Sequence, residues 1–265
     1  MEKYVRYSAG DKLSYGLVRE NKVIQLDGDQ FEDFKITDIE HELSAVTLLA
    51  PCVPTKLIGL GQNYRDIEIK PDTKLPIDPL YHIGPASSVL NPGEDILKLP
   101  MTKELAFEAE LAIVIGRKAH LVPLEEVQDY IWGYTVTNDI TAKDVQRQDV
   151  QWTRCKSFNT FQPVGPCIVR GIDANNLDIF AYKNGELVQK GNSSDLIFGI
   201  DYLVSFISHC MPLLPGDIIY TGTPGGNGGP LNVGDKIEIE IDQIGRITNY
   251  CKEYSGPWNL TKPGK

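Results

Sequence analysis

The chain has 265 residues, of which 42% are hydrophobic and 23% charged, ordinary globular usage that excludes disorder or coiled coil as a global description. At about 150 residues per domain it holds one large domain, or one plus a small appendage. Its 26 Lys and Arg against 36 Asp and Glu give a net charge of −10, which repels phosphate backbones and anionic lipid and so excludes nucleic acid and membrane surfaces as partners, while leaving a small anion open to a local site of opposite sign.

Residues 1–50 read as a small β-rich appendage and 51–265 as the main domain. Tyr4 to Tyr7, Ser14 to Val18 and Lys22 to Leu26 are short strands with a turn at Glu20-Asn21, followed by an acidic stretch from Asp27 to Glu42, and Pro51 and Pro54 mark the boundary. Further strands are expected at Leu57–Gly61, Ala109–Gly116, Ile131–Thr137, Cys167–Arg170, Ile218–Gly222 and Lys236–Ile241. Asn184-Gly185 is a type I′ hairpin signal between Ile179–Tyr182 and Leu187–Lys190. Helical periods are few: Leu124–Tyr130 follows a proline, and Ser194–Ser208 carries Asp195 early with apolar residues at helical spacing. The expected class is mainly β (α+β) with a few short helices. No stretch reaches the roughly 18 apolar residues of a spanning helix. The start at Met1 lacks an apolar signal core, and five cysteines that never pair closely suit reduced thiols, so a cytoplasmic location is expected.

The most informative segment is Phe107-Glu108-Ala109-Glu110-Leu111-Ala112-Ile113-Val114-Ile115. Residues two apart on a strand share a face, which sets Glu108 and Glu110 about 7 Å apart on a segment otherwise fit for a core. Burying two unpaired carboxylates costs several kcal/mol, roughly, and a bound cation removes that cost. The bland alternative is a solvent-facing strand end with a lysine or arginine nearby. A second strand runs from Ile131 into Asn138-Asp139, where either residue is a good helix cap. Read functionally, Asp139 is a third oxygen ligand, and three carboxylates without His or Cys select Mg²⁺ or Mn²⁺, with Ca²⁺ the remaining hard-ion option. Lys156, in the aromatic and largely uncharged stretch from Gln151 to Phe161, either snorkels to solvent or places a deliberate positive charge near the acids. The loop from Gly222 to Gly229 lacks the lysine of a phosphate-binding loop and precedes no helix, which rejects nucleotide binding.

Taken in order, Glu108-x-Glu110, Asn138-Asp139 with Lys143-Asp144-x-Gln146, Lys156-Ser157-Phe158, Gly191-Asn192-Ser193-Ser194-Asp195-x-Ile197-Phe198, and Pro215-Gly216-Asp217 through Thr221-Gly222-Thr223-Pro224 resemble the fumarylacetoacetate hydrolase (FAH) superfamily from about Leu57 to Asn249. The resemblance implies a mixed β-sandwich roll, usually a homodimer, with Mg²⁺ or Mn²⁺ on Glu108, Glu110 and Asp139. It implies a small 2-oxo acid or diketo acid as substrate, which such enzymes cleave, decarboxylate or tautomerise. By position Lys156 stabilises developing negative charge or orients water, Gln146 and Thr223 help hold substrate, and Lys143, Tyr81 and His82 fall among substrate-binding positions.

Two departures matter. Lys143 stands where the family often has Arg, giving a point charge in place of a bidentate fork. Gly61-Gln62-Asn63-Tyr64-Arg65-Asp66 matches the start of the family's catalytic lid, but Ile67 stands at the usual His and Lys70 at the usual partner Glu. Asp66 and Glu68 are the candidate bases in its absence. Carbon–carbon bond hydrolysis is the leading expectation. Tautomerisation or decarboxylation, which needs no water poised for attack, is the alternative, and a non-catalytic binding protein on the same scaffold is the rival from another class.

Overall fold

The computed structural model describes residues 1–65, 75–226 and 228–260. Its strands, in chain order, are β1 (Glu2–Ala9), β2 (Lys12–Arg19), β3 (Lys22–Asp27), β4 (Lys35–Glu42), β5 (Thr47–Leu49), β6 (Lys56–Gly61) and β7 (Leu80–Pro85). They continue through β8 (Val89–Leu90), β9 (Asp95–Lys98), β10 (Leu105–Ala106), β11 (Ala109–Ile115), β12 (Ile131–Asn138), β13 (Thr141–Ala142) and β14 (Gln162–Arg170). The last are β15 (Asp178–Lys183), β16 (Glu186–Asn192), β17 (Ile218–Tyr220), β18 (Pro230–Leu231), β19 (Lys236–Ile241) and β20 (Gly245–Glu253). Helices are short: α1 (Lys143–Gln148), α2 (Thr153–Lys156) and α3 (Ile200–Cys210). The fold is mainly β, as the turn-punctuated apolar runs predict.

The large sheet runs β4-β3-β2-β1-β14-β12-β11-β17-β6-β7, with β5 on β1 and β8 on β14. The first fifty residues are therefore joined to the rest by strand pairing: Tyr4 of β1 lies opposite Ile168 of β14. A second sheet, β16-β15-β19-β20-β9, packs against it. Strand β11 is buried at every position, and its two faces feed different clusters. Leu111, Ile113 and Ile115 join the larger core, whereas Ala112 and Val114 join Tyr4, Leu57, Ile218 and Tyr220 on the other side. Burial on both faces explains why the run reads as nearly continuous apolar sequence rather than alternation.

Three elements differ from expectation, each for a local reason. The acidic stretch contains β4, which pairs with β3 at the sheet edge and leaves its acids in solvent. The helix expected from Ser194 begins at Ile200, with a single 3-10 turn over Ser193–Asp195 ahead of it. The Asn192 side chain accepts from the Ser194 N–H at 2.9 Å, and Asn63 accepts from the N–H groups of Ile197 and Phe198, both at 2.8 Å. Those bonds withdraw the segment from a helix. Strand β14 starts at Gln162, five residues before the expected Cys167, despite Pro163 and Pro166. The hairpin is as expected: Asn184 and Gly185 both have positive φ, 54° and 88°, as a type I′ turn requires.

Candidate metal centre and active site

Antiparallel pairing of β11 with β12 sets Ala109 opposite Asn138, so the start of one strand meets the end of the other. Glu108 immediately precedes β11 and Asp139 immediately follows β12. The Asp139 N–H donates to the Glu108 carbonyl at 2.9 Å, and the Glu108 N–H donates to Asn138 Oδ1 at 3.0 Å. Glu108 is thus locked to the end of β12 by one backbone bond and one bond to a side chain. Glu110, two residues into the same face, turns its carboxylate toward the end of β17, where Oε2 accepts from the Gly222 N–H at 2.7 Å. The three acids are buried, with ligand oxygens within 4.8 Å of one another.

Lys156, at the end of α2, sits against this cluster. Its ammonium donates to Glu108 Oε2 at 2.6 Å and to Asp139 Oδ2. Lys143, half-buried at the start of α1, donates to Glu108 Oε1 at 3.1 Å and to Gln146 Oε1 at 3.3 Å. Burial alone would lower the Lys156 ammonium, but Asp139, Glu108 and Glu110 outweigh it and hold the lysine above its ordinary range. Burial pushes Glu108 up, yet Lys156 and Lys143 hold its carboxyl below the usual value. Asp139 is pushed up to about 6 by burial, against the pull of Lys156. Burial and the neighbouring Asp139 drive Glu110 well above the carboxylate range. Three acids share two lysines, and the excess negative charge falls on Glu110 and Asp139. A divalent cation fits that excess, and an all-oxygen donor set is that of a hard ion.

Glu108, Glu110 and Lys156 line a cavity of about 330 Å³, closed by Leu60, Gly61 and Gln62 from the end of β6 and by Thr223 and Gly225 after β17, with the fully buried Asp139 behind Lys156. Gln146, Lys143, Trp152 and His82 complete its wall. Of the residues expected from sequence, Glu108, Glu110, Asp139, Lys156, Gln146, Lys143, Thr223 and His82 are brought together here. The Thr223 hydroxyl donates to the Ala109 carbonyl at 3.0 Å and accepts from Gln189 at 2.7 Å, which ties the loop after β17 to β11. Tyr81 does not line this cavity but an adjoining one of about 520 Å³, which shares His82 and Trp152 with it. Asp66, Glu68, Ile67 and Lys70 lie outside the described residues.

His82 is held in a way its sequence context does not announce. Register places Tyr220, Gly59 and His82 in one row across β17, β6 and β7. A Cβ on Gly59 would fall 2.1 Å from the Tyr220 ring and 2.4 Å from the His82 ring, so the glycine lets the two side chains meet over it. His82 Nε2 lies 2.9 Å from the Tyr220 hydroxyl and 3.8 Å from Asp139 Oδ2. Burial and Lys156 lower the imidazole to about 3, so it is neutral at physiological pH. Burial and the acids keep Tyr220 protonated. Trp152 is set likewise by a glycine: a Cβ on Gly61 would lie 2.0 Å from its ring. Tyr220, Trp152 and Gln162 are the site residues that motif reading passes over. The glycines at 59 and 61, two apart on an apolar strand, were the available signal for the first two.

A model of the fumarylacetoacetate hydrolase C-terminal domain matches residues 56–251, and residues 2–51 match a separate Rv2993c-like N-terminal model. This carboxylate-lined β fold belongs to the fumarylacetoacetate hydrolase superfamily. The chain is similar to the mitochondrial oxaloacetate tautomerase Fahd2a of Rattus norvegicus, 38% identical over 217 residues that cover 78% of this chain and 69% of the relative. The crystal structure of a 2-hydroxyhepta-2,4-diene-1,7-dioate isomerase from Mycobacterium marinum aligns with a TM-score of 0.89 and 33% identity, covering 97% of this chain and 100% of that one. Maleylpyruvate hydrolase from Sphingobium sp. SYK-6, in complex with manganese(II) and pyruvate, aligns with a TM-score of 0.77 and 26% identity, covering 95% and 99%. Among the described residues no helix is long and apolar enough to cross a membrane.

Proposed function

We propose that the protein is a divalent-metal-dependent tautomerase or isomerase that interconverts enol and keto forms of a small 2-oxo dicarboxylate. The observation that carries this reading is the buried Lys156 ammonium, fixed against Glu108 and Asp139 at the wall of a pocket large enough for a small acid. A permanently charged donor at that point stabilises an enolate oxygen as it gains charge, in a site shielded from bulk water. Kinship with proteins named as an oxaloacetate tautomerase and a hydroxyheptadienedioate isomerase supports it. So does the sequence itself, in which Ile67 and Lys70 stand where the family resemblance leads one to expect the water-activating His and Glu.

When bound on Glu108, Glu110 and Asp139, Mg²⁺ or Mn²⁺ supplies Lewis-acid polarisation of a 2-oxo group. Lys156 donates to the enolate oxygen. Lys143, paired with Gln146 at the pocket mouth, binds a substrate carboxylate. Trp152 and His82 form the neutral wall opposite, and Thr223 anchors the loop that closes the far side. Asp66 or Glu68, beside Ile67, moves the carbon-bound proton.

The test is a spectrophotometric assay of enol-oxaloacetate ketonisation by purified protein with Mg²⁺, Mn²⁺ or chelator, run beside acylpyruvate cleavage. The expected result is metal-dependent ketonisation, lost in Glu110→Gln and in the Asp66→Asn, Glu68→Gln double variant, with acylpyruvate cleaved far more slowly. The likeness to a maleylpyruvate hydrolase favours C–C hydrolysis as a second reading, and acylpyruvate cleavage at the faster rate would install it. Metal binding without turnover of either substrate would leave the non-catalytic reading.

A further inference from the structure

Like Glu108, Asp139 has both carboxylate oxygens engaged, and it is the most deeply buried of the three acids. Oδ2 faces Lys156, and Oδ1 accepts a hydrogen bond from Gln162 Nε2. The placement follows from strand register. In the β12–β14 pair Val136 lies opposite Gly165 and Thr137 opposite Val164, and continuing that antiparallel count by two residues sets Asp139 opposite Gln162. Both residues are 0% exposed, and Gln162 does not line the substrate cavity. The amide is oriented by Asp139 itself: a carboxylate oxygen can only accept, so the NH₂ faces it, while the Thr137 hydroxyl donates to the Pro163 carbonyl at 2.9 Å and lies 3.4 Å from Gln162 Oε1. His82 does not substitute for it, since its Nε2 is 3.8 Å from the other carboxylate oxygen and already engaged by Tyr220.

We propose that Gln162 is a positioning residue for the metal centre: it holds Asp139 by Oδ1, presents Oδ2 to the cluster, and so sets the affinity of the site for its divalent ion. The inference rests on the reading of Glu108, Glu110 and Asp139 as metal ligands. Its physical basis is that an ionised carboxylate this deep needs a donor on the oxygen turned away from the ion, and outer-shell donors of this kind orient ligands and tune affinity. Lys156 cannot fill that role alone, because it is shared with Glu108 and, in the proposed reaction, with the substrate. Gln162 is neutral and unreachable from the cavity, so its service to Asp139 is undivided.

The test is Mn²⁺ titration of the full-length chain, freed of metal by chelator, followed by electron paramagnetic resonance of the free ion. Wild type, Glu110→Gln, Gln162→Met and Gln162→Asn are compared. Methionine keeps the length and removes the donor; asparagine keeps the amide and draws it back by one methylene. Both Gln162 variants are expected to bind Mn²⁺ about 10- to 100-fold more weakly than wild type, with the melting temperature of the metal-free protein within a few degrees of wild type. If wild type binds Mn²⁺, Glu110→Gln does not, and both Gln162 variants bind within twofold of wild type, the inference about Gln162 is overturned and the metal site stands. If wild type fails to bind, or Glu110→Gln binds equally well, both fall together. Should the methionine variant melt early, the polar asparagine variant decides alone.

Discussion

The sequence contains Glu-x-Glu three times, and the three copies have three different fates. Glu40 and Glu42 lie on the edge strand β4 in solvent, where Glu40 meets Lys22 at 2.6 Å with both side chains about half exposed. Glu238 and Glu240 on β19 are answered by Lys236 and by Arg246 from the paired strand β20, an arrangement that holds Glu238 below its usual range against the opposing effect of burial. Glu108 and Glu110 meet a third acid in the interior and too few cations to match. The motif alone therefore does not define a metal site. What sets this copy apart as a candidate metal site is burial on a strand covered from both sides, together with a carboxylate from the next strand at the same level.

The contrast is broken most strongly by substituting one acid in each pair. Glu110→Gln is expected to abolish metal-dependent turnover, beyond the roughly 100-fold that loss of an outer-shell partner costs, whereas Glu240→Gln leaves it within twofold. Steady-state kinetics with Mn²⁺ reads both, and equal effects would erase the distinction. Next in size is Lys156→Met. Removing the cation from two buried carboxylates should destabilise the chelator-treated protein by about 3–5 kcal/mol in urea unfolding, with part of the loss recovered on adding Mg²⁺.

A pH series sharpens the comparison further. Asp139 titrates in the folded metal-free protein at about 6, above its unfolded value, so the stability tied to its protonated form is present at low pH and lost as pH rises through 6. A divalent ion needs the ionised form. The rise in melting temperature on adding Mn²⁺ should therefore be small near about pH 5 and grow to about pH 7.5; a shift independent of pH would contradict the assignment. The smallest effect belongs to the surface pair. Arg246→Ala should change stability by less than about 1 kcal/mol and leave Mn²⁺ affinity alone, as measured by denaturation and titration.

Much of this was legible in the residues themselves. The strand alternation, the Asn-Gly hairpin and the convergence of Glu108, Glu110, Asp139 and Lys156 follow from local pattern and from motifs kept in order along the chain. What was not legible depends on pairing between distant segments. Gln162 lies in the part of β14 that Pro163 and Pro166 disguise: prolines argue against an interior strand, yet pairing with β12 on one side and β8 on the other carries the strand through. Tyr220 reads as one more apolar strand residue, since its partner His82 is 138 positions away and joined to it only by register. Tyr81 and His82, adjacent in sequence, fall on opposite faces of β7, Tyr81 exposed and His82 buried; both border the larger cavity, and only His82 also reaches the one that holds Glu108 and Glu110.

The row formed by Tyr220, Gly59 and His82 constrains how this wall of the pocket can diverge. A side chain at 59 has no room while both rings are present, and shrinking either ring alone strands the other's buried polar atom. Substitutions along this row are thus epistatic: each is harmful in isolation, and an altered wall is reached through paired changes at 82 and 220, with position 59 free to enlarge only afterwards.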